Sequence, residues 1–198
     1  IPTTDDQCLA ITSAGQIISL QYLTSPVRHL AVLSSTDKKQ PIDFKAGVGK
    51  KSVAVADASG LLQLLDLQTG QPQARLQLNA PATSDLWLTD PFLFVQSKQI
   101  LSCFNIDQGL EKVWSLDLPG TALAGPPAVL NNQLLLSLQN GKVLSVDLQS
   151  GKVSAELVAP LPAIGPVVNL ENLLLVPTVD GSLYRIDQAL QQKGQASL

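Results

Sequence analysis

One phrase constrains this chain more than any other. From Gly125 to Gly151 the sequence reads GPPAVLNNQLLLSLQNGKVLSVDLQSG: two apolar runs around Asn140-Gly141, then a second turn at Asp147-Leu148-Gln149-Ser150-Gly151. Asn-Gly between apolar runs predicts a β-hairpin, because both residues tolerate the positive φ of a type I′ turn. The phrase recurs. Hairpin centres fall at Ala14-Gly15, Ser59-Gly60, Lys98-Gln99, Asn140-Gly141 and Asp180-Gly181, so their second residues step by 45, 39, 42 and 40. A period of about 40 residues assembled from short strands is the mark of propeller blades, in which each copy hides its apolar faces against a neighbour.

Each centre is preceded by an apolar strand (Cys8 to Ile11, Ser52 to Val55, Phe92 to Val95, Leu134 to Leu136, Leu173 to Val176). Each is followed by another (Ile17 to Leu20, Leu61 to Leu65, Ile100 to Phe104, Val143 to Val146, Leu183 to Ile186). Six residues after the centre stands Asp66, Asp147 or Asp187, with Asn105 and Gln21 in the weaker copies, and Gly70, Gly109 and Gly151 close the turn four residues later. An Asp or Asn side chain accepts backbone N–H groups just downstream, and Gly supplies the left-handed conformation that reverses the chain. A third strand follows at Gln73 to Leu78, Lys112 to Leu118 and Val153 to Val158. A fourth, preceding the hairpin, follows Gly125-Pro126 and Gly165-Pro166 and reads Ala128-Val129-Leu130 and Val167-Val168. Pro is tolerated where a strand begins.

The expectation is an all-β, propeller-type array of about five four-stranded blades. They form one domain over residues 1–198, in units of roughly 1–36, 37–79, 80–119, 120–159 and 160–198. Unit three lacks the hairpin Gly, so a longer or distorted turn is expected at Lys98-Gln99. Thr24-Ser25-Pro26 replaces the second turn of unit one, and the polar stretch from Ser34 to Lys51 reads as an irregular excursion. Five units either close on themselves, the favoured expectation, or belong to a larger ring. An open array would expose blade edges and associate with itself. The chain begins at Ile1 and contains no Met, which reads as a processed or excised piece of a longer product.

Composition narrows function by exclusion. The chain is 45% hydrophobic and 15% charged, yet its apolar runs are short, and none reaches the ~18 residues of a membrane-spanning helix. Net charge is −3, without the basic surplus that nucleic acid or an anionic membrane surface would require. The lysines at 38, 39, 45, 50 and 51 read as a solvated local cluster.

The phrase Asp-Leu-Gln-Ser-Gly at 147–151, with its Gly-led strand pair and Gly-Pro upstream, resembles the quinoprotein (PQQ-like) β-propeller repeat. The resemblance runs from about Ser52 to Asp187 and is carried by Gly60, Asp66, Thr69, Gly70, Gly125, Pro126, Gly141, Asp147, Ser150, Gly151, Gly165, Pro166, Gly181, Tyr184 and Asp187. The family repeat carries a Trp after the second turn. Trp114 stands there in unit three, with Arg75 and Glu156 near the same place in units two and four. Many members are exported bacterial scaffold proteins, so the resemblance implies a periplasmic or extracytoplasmic module. Its enzymes bind pyrroloquinoline quinone and calcium beneath an adjacent Cys-Cys pair. Cys8 and Cys103 are far apart in sequence, no acidic cluster suits calcium, and that half of the resemblance does not transfer.

Other chemistry is thinly represented. His29 is the only histidine, which excludes a His-rich metal site and paired catalytic histidines. Gly47-Val48-Gly49-Lys50-Lys51-Ser52 imitates a phosphate loop, but Phe44 and Lys51 stand where the motif needs Gly and Ser or Thr, and a Val-rich strand follows instead of a helix. Cys8 and Cys103 read as buried free thiols. The repeated Asp66, Asp147 and Asp187 read as turn residues, not as a carboxylate ring. No residue is assigned a catalytic, cofactor-binding or metal-binding role. The leading expectation is a binding or scaffold module that docks a protein partner or polymer through its loops, without a cofactor. The alternatives are a quinone- and calcium-dependent dehydrogenase-like enzyme and a ligand-sensing domain of a larger signalling protein.

Overall fold

The computed structural model describes residues 2–4, 7–11, 17–23, 29–35, 44–118, 120–170, 173–187, 190 and 192–197, with those before 44 and after 190 described by their backbone. They form twenty strands. Module one comprises β1 (Pro2–Thr4), β2 (Gln7–Ile11), β3 (Ile17–Leu23) and β4 (His29–Ser35), and module two comprises β5 (Phe44–Val48), β6 (Ser52–Asp57), β7 (Leu61–Asp66) and β8 (Pro72–Gln77). Module three holds β9 (Trp87–Thr89), β10 (Phe92–Ser97), β11 (Ile100–Asn105) and β12 (Glu111–Asp117). Module four holds β13 (Ala128–Leu130), β14 (Gln133–Ser137), β15 (Lys142–Asp147) and β16 (Val153–Val158). Module five holds β17 (Val168–Leu170), β18 (Leu173–Pro177), β19 (Ser182–Asp187) and β20 (Gln192–Ser197). Each module is a four-stranded sheet with strands in sequence order. The fold is all-β, an array of five propeller-type modules among the described residues.

Two compact units divide the chain, one of residues 1–98 and 102–112, the other of 99–101 and 113–198. In the first, Ala54, Ala56, Leu62 and Leu64 of module two share a core with Leu86, Leu93, Val95 and Phe104 of module three. In the second, Leu135 and Val143 of module four pack with Leu174, Val176, Tyr184 and Ile186 of module five. The middle strands are buried on both faces, as the run Leu134 to Leu138 shows. This explains why their sequences read as continuous apolar runs and not as alternation.

Hairpin chemistry differs from the sequence expectation in a consistent way. At Asn140-Gly141 only Gly141 has positive φ (85°). Its N–H donates to Leu138 O at 2.9 Å, while Leu138 N–H donates to Lys142 O at 2.8 Å. This is a three-residue loop ending in a left-handed glycine, not a type I′ turn. Gly60 and Gly181 repeat it, each with φ of 83° and an N–H donated to Asp57 O or Thr178 O. Positive φ at two successive positions occurs one loop upstream, at Asn131 (49°) and Asn132 (63°), between the paired Leu130 and Gln133. In module three the expected longer turn is instead one residue shorter: Lys98 and Gln99 alone join β10 to β11, and Lys98 adopts φ of 56°.

Further expectations are corrected. Phe44–Val48, inside the supposed excursion, is a regular strand paired with β6 from Phe44↔Asp57 to Val48↔Val53. Gly47 in the strand and Gly49 just after it permit close approach: a Cβ on Gly47 would collide with Leu86 O, and one on Gly49 would meet Leu88 Cδ2 at 2.5 Å. The phosphate-loop imitation therefore has a packing origin. The second turn of module three is one residue longer than its counterparts, and Leu110 (φ 69°), not Gly109, donates the closing N–H to Asn105 O. The Ala14-Gly15 hairpin and Thr24-Ser25-Pro26 lie outside the described residues.

Candidate functional site

The turn between the third and fourth strands is built alike in two modules. In module two Asp66 Oδ1 accepts the N–H groups of Gln68 and Thr69 and the Thr69 hydroxyl at 2.8–3.0 Å. In module four Asp147 Oδ1 accepts the N–H and hydroxyl of Ser150 at 2.8 and 2.7 Å. The Thr69 N–H and hydroxyl hold the Asp66 carboxyl below the usual range, and the Ser150 hydroxyl and N–H do the same for Asp147. These carboxylates are engaged by their own turns. The structure brings Asp66, Asp147 and Asp187 to equivalent register positions in three modules, opposite Ser52, Gln133 and Leu173.

A second repeated tie joins this turn to the loop before the second strand. Leu67 donates its N–H to Lys51 O, Ile106 to Pro91 O and Leu148 to Asn132 O, at 2.8, 2.9 and 3.1 Å. A β-bulge recurs as well. The pairing of third and fourth strands shifts at Leu64/Leu65, Ser145/Val146, Arg185/Ile186 and Ser19/Leu20. The extra residues include Gln73 and Ser154, whose side chains turn back over the sheet: Gln73 Oε1 accepts the Ser52 hydroxyl at 3.0 Å, and the Ser154 hydroxyl donates to Gln133 Oε1 at 2.7 Å. Sequence reasoning missed this bulge, because a bulge leaves no residue signature beyond the count between flanking turns.

Trp114 fits its expected place. Its indole is buried, Nε1 donates to Leu148 O at 2.9 Å, and the ring packs on Gly151. The inward positions matching it in the other fourth strands are Ala74 and Ala155, by burial pattern, while Arg75 and Glu156 alternate outward. The alanines leave those modules with less area to bury at this junction.

A cleft at these turns lies in the first unit. It has a volume of about 450 Å³ and is lined by Lys51, Ser52, Leu64, Gln73, Asp90, Ile106 and Asp107. Asp90 Oδ2 accepts the Lys50 N–H at 3.2 Å. The cleft mixes an ammonium, two carboxylates, an amide and a hydroxyl, groups suited to hydrogen-bonding a polar chain. Its hydroxyl, on Ser52, points to an amide oxygen and not to a base, so it is not activated as a nucleophile. A smaller cleft in the second unit, about 200 Å³, is lined by residues including Asp117, Asn140, Lys142, Val153 and Glu156.

Cys103 is a buried free thiol whose pKa is pushed up to about 12 by burial, an unreactive state. Among the described residues no group of three or more His, Cys, Asp or Glu side chains is placed to hold a metal ion. Among the described residues, Cys103 has no adjacent Cys and no carboxylate cluster accompanies it, so these residues do not assemble a quinone and calcium site. No helix among the described residues is long and apolar enough to cross a membrane.

The family model described as "Outer membrane protein assembly factor BamB" matches residues 97–193. BamB from Moraxella catarrhalis is similar in structure, with a TM-score of 0.65 at 12% identity over 98% of this chain and 70% of that one. Saccharomyces cerevisiae Sqt1 gives 0.78 at 15% identity over 99% and 59%, and the C-terminal WD40 domain of Sif2 gives 0.76 at 13% over 100% and 59%. The chain thus spans about three fifths to seven tenths of the length of these neighbours. No curated protein sequence matches it. At these identities the structural likeness establishes the propeller fold, and the PQQ-like repeat read from the sequence is borne out.

Proposed function

We propose, from the PQQ-like propeller repeat that this chain carries, that it is a non-catalytic binding or scaffold module of an exported bacterial protein. It acts as one repeat domain over 1–198 and docks a protein partner or polymer through its turns, in a periplasmic or extracytoplasmic setting. The family model, described by an outer-membrane assembly factor, supports both the partner class and the compartment. The observation that carries the reading is the turn chemistry. Carboxylates that would draw attention as acids or bases are occupied by neighbouring N–H and hydroxyl groups, and the polar cleft at Lys51, Asp90 and Asp107 offers hydrogen bonds without an activated nucleophile.

Photocrosslinking residues placed at Lys51 and Asp107 test it in cell-envelope extracts. One discrete protein adduct at these positions, absent from a control position at Gln77 on β8, is expected. Adducts equal at all positions would refute the docking surface, and any turnover lost on Ser52→Ala would refute the non-catalytic reading. Incubation with quinone and calcium is expected to leave the melting temperature unchanged.

A further inference from the structure

Leucine is a costly residue at positive φ. Yet Leu110 and Leu190 adopt φ of 69° and 56° at the place in the second turn where modules two and four have Gly70 and Gly151, at 68° and 69°. Backbone bonds and register set the equivalence. Leu110 donates its N–H to Asn105 O as Gly151 does to Asp147 O, at 3.0 and 2.9 Å. Gly151 and Leu190 each stand two residues before the first fourth-strand residue to pair, Val153 and Gln192. Both leucines are buried. A strained residue that the turn itself does not require has its reason elsewhere. That reason lies across the junction. At the three junctions with described side chains, the fourth strand of one module meets the second turn of the next. Trp114 of module three packs on Gly151. Ala74 of module two holds the position of Trp114 and packs against the core that contains Leu110. Ala155 of module four holds it too, and packs against the core that contains Leu190. Large meets small and small meets large each time, so the area that the alanines do not supply comes from the facing turn.

We propose that this reciprocal pair of side chains selects which module packs on which. A Cβ on Gly151 would already meet Trp114 Cγ at 2.6 Å, so the leucine turn of module three or five cannot face Trp114 without overlap. The glycine turn of module two or four, set against Ala74 or Ala155, would leave a void. An arrangement that skips one module, within the chain or between two copies, therefore mismatches at its junction. Repeated sheets need such a discriminator, because their ladders and turns are otherwise interchangeable, and selectivity comes as much from the misfit of wrong neighbours as from the fit of the right one. The strain at Leu110 and Leu190 is the local cost of that selection. It is independent of what the turns bind.

Urea titration of the full chain tests the pairing through a change of sign. Leu110→Gly alone is expected to lower the folding constant, because it empties the space beside Ala74. In an Ala74→Trp background the same substitution is expected to raise it at least about tenfold, roughly 1.4 kcal/mol. The introduced indole should then donate to Ile106 O, the counterpart of Leu148 O, and its N–H should exchange slowly with solvent. The converse pair, Trp114→Ala with Gly151→Leu, should be more stable than Trp114→Ala alone. Refolding from urea at high protein concentration tests the selection itself: Ala74→Trp and Leu110→Gly are each expected to give exchanged oligomers that the double variant does not. A Leu110→Gly effect of the same sign in both backgrounds, or a double variant that fails to fold, would overturn the proposal. So would single variants that refold to the same species as the parent chain, which would reduce the pair to packing without selection.

Discussion

The contact between Trp114 and Gly151 converts directly into a free energy. Gly151 has φ of 69°, and a Cβ added there would meet Trp114 Cγ at 2.6 Å, Cδ2 at 2.7 Å and Cβ at 2.9 Å. Gly151→Ala therefore incurs two costs: about 1–2 kcal/mol for a left-handed non-glycine residue and about 1–3 kcal/mol for overpacking against a buried ring. Gly181 separates them, because it has φ of 83° with nothing within 4 Å of an added Cβ. Gly181→Ala should cost about 1–2 kcal/mol alone. Trp114→Ala removes the two ring contacts and the bond to Leu148 O, and should cost about 3–5 kcal/mol. In that background Gly151→Ala should fall toward the Gly181→Ala value, since only the contact with Cβ at 2.9 Å survives, a coupling of about 1–3 kcal/mol. Urea titration followed by far-UV circular dichroism measures all four variants. Equal costs for Gly151→Ala and Gly181→Ala, or strict additivity with Trp114→Ala, would refute the reasoning.

Other outcomes follow from the same structure. Gly141→Val places a β-branched residue at φ of 85° with its Cβ 2.8 Å from Leu161 O, and should lower stability by about 1–3 kcal/mol, read by the melting temperature. The Thr69 and Ser150 groups hold Asp66 and Asp147 down, and the Ser182 N–H with the Thr178 and Ser182 hydroxyls does so for Asp180. Their folded pKa values lie below the unfolded one, so their contribution is complete above about pH 4 and lost as pH falls further. The melting temperature should be level from neutral pH down to that point and fall below it, and changing all three Asp to Asn should flatten the fall. In a Cys8→Ser background the Cys103 thiol should resist alkylation until the chain unfolds, as its burial requires. Lys142→Ala should change stability by less than about 1 kcal/mol, although Lys142 Nζ lies 2.6 Å from Glu156 Oε1, because both side chains are more than two fifths exposed.

The repeat was legible because its punctuation is chemical. Asp147 with Ser150, and Gly141 and Gly151 at their left-handed positions, are demanded by turn geometry and leave little choice of residue. What stayed hidden depends on backbone detail or on partners distant in sequence. Asn-Gly is compatible with a two-residue type I′ turn and with the three-residue loop found at 139–141, in which Gly141 alone is left-handed. Lys98 and Leu110 adopt left-handed conformations that are not glycines' own; Leu110 follows left-handed Gly109 and is buried in the core of the first unit. Gly47 and Gly49 suggested a phosphate loop until Leu86 and Leu88 came beside them. The polar cleft draws Lys51, Asp90 and Asp107 from separate loops, and no local pattern ties such residues together.

One sheet topology recurs from module to module among the described residues. Interstrand proton contacts measured by nuclear magnetic resonance test it most directly, at positions matched between modules. Contacts linking Ala54 with Leu64, Leu135 with Ser145 and Leu175 with Arg185 are predicted, with the shift of partner after Leu64, Ser145 and Arg185 in each module. Strands of one module pairing instead with those of another, as in two clasped sheets, would contradict it.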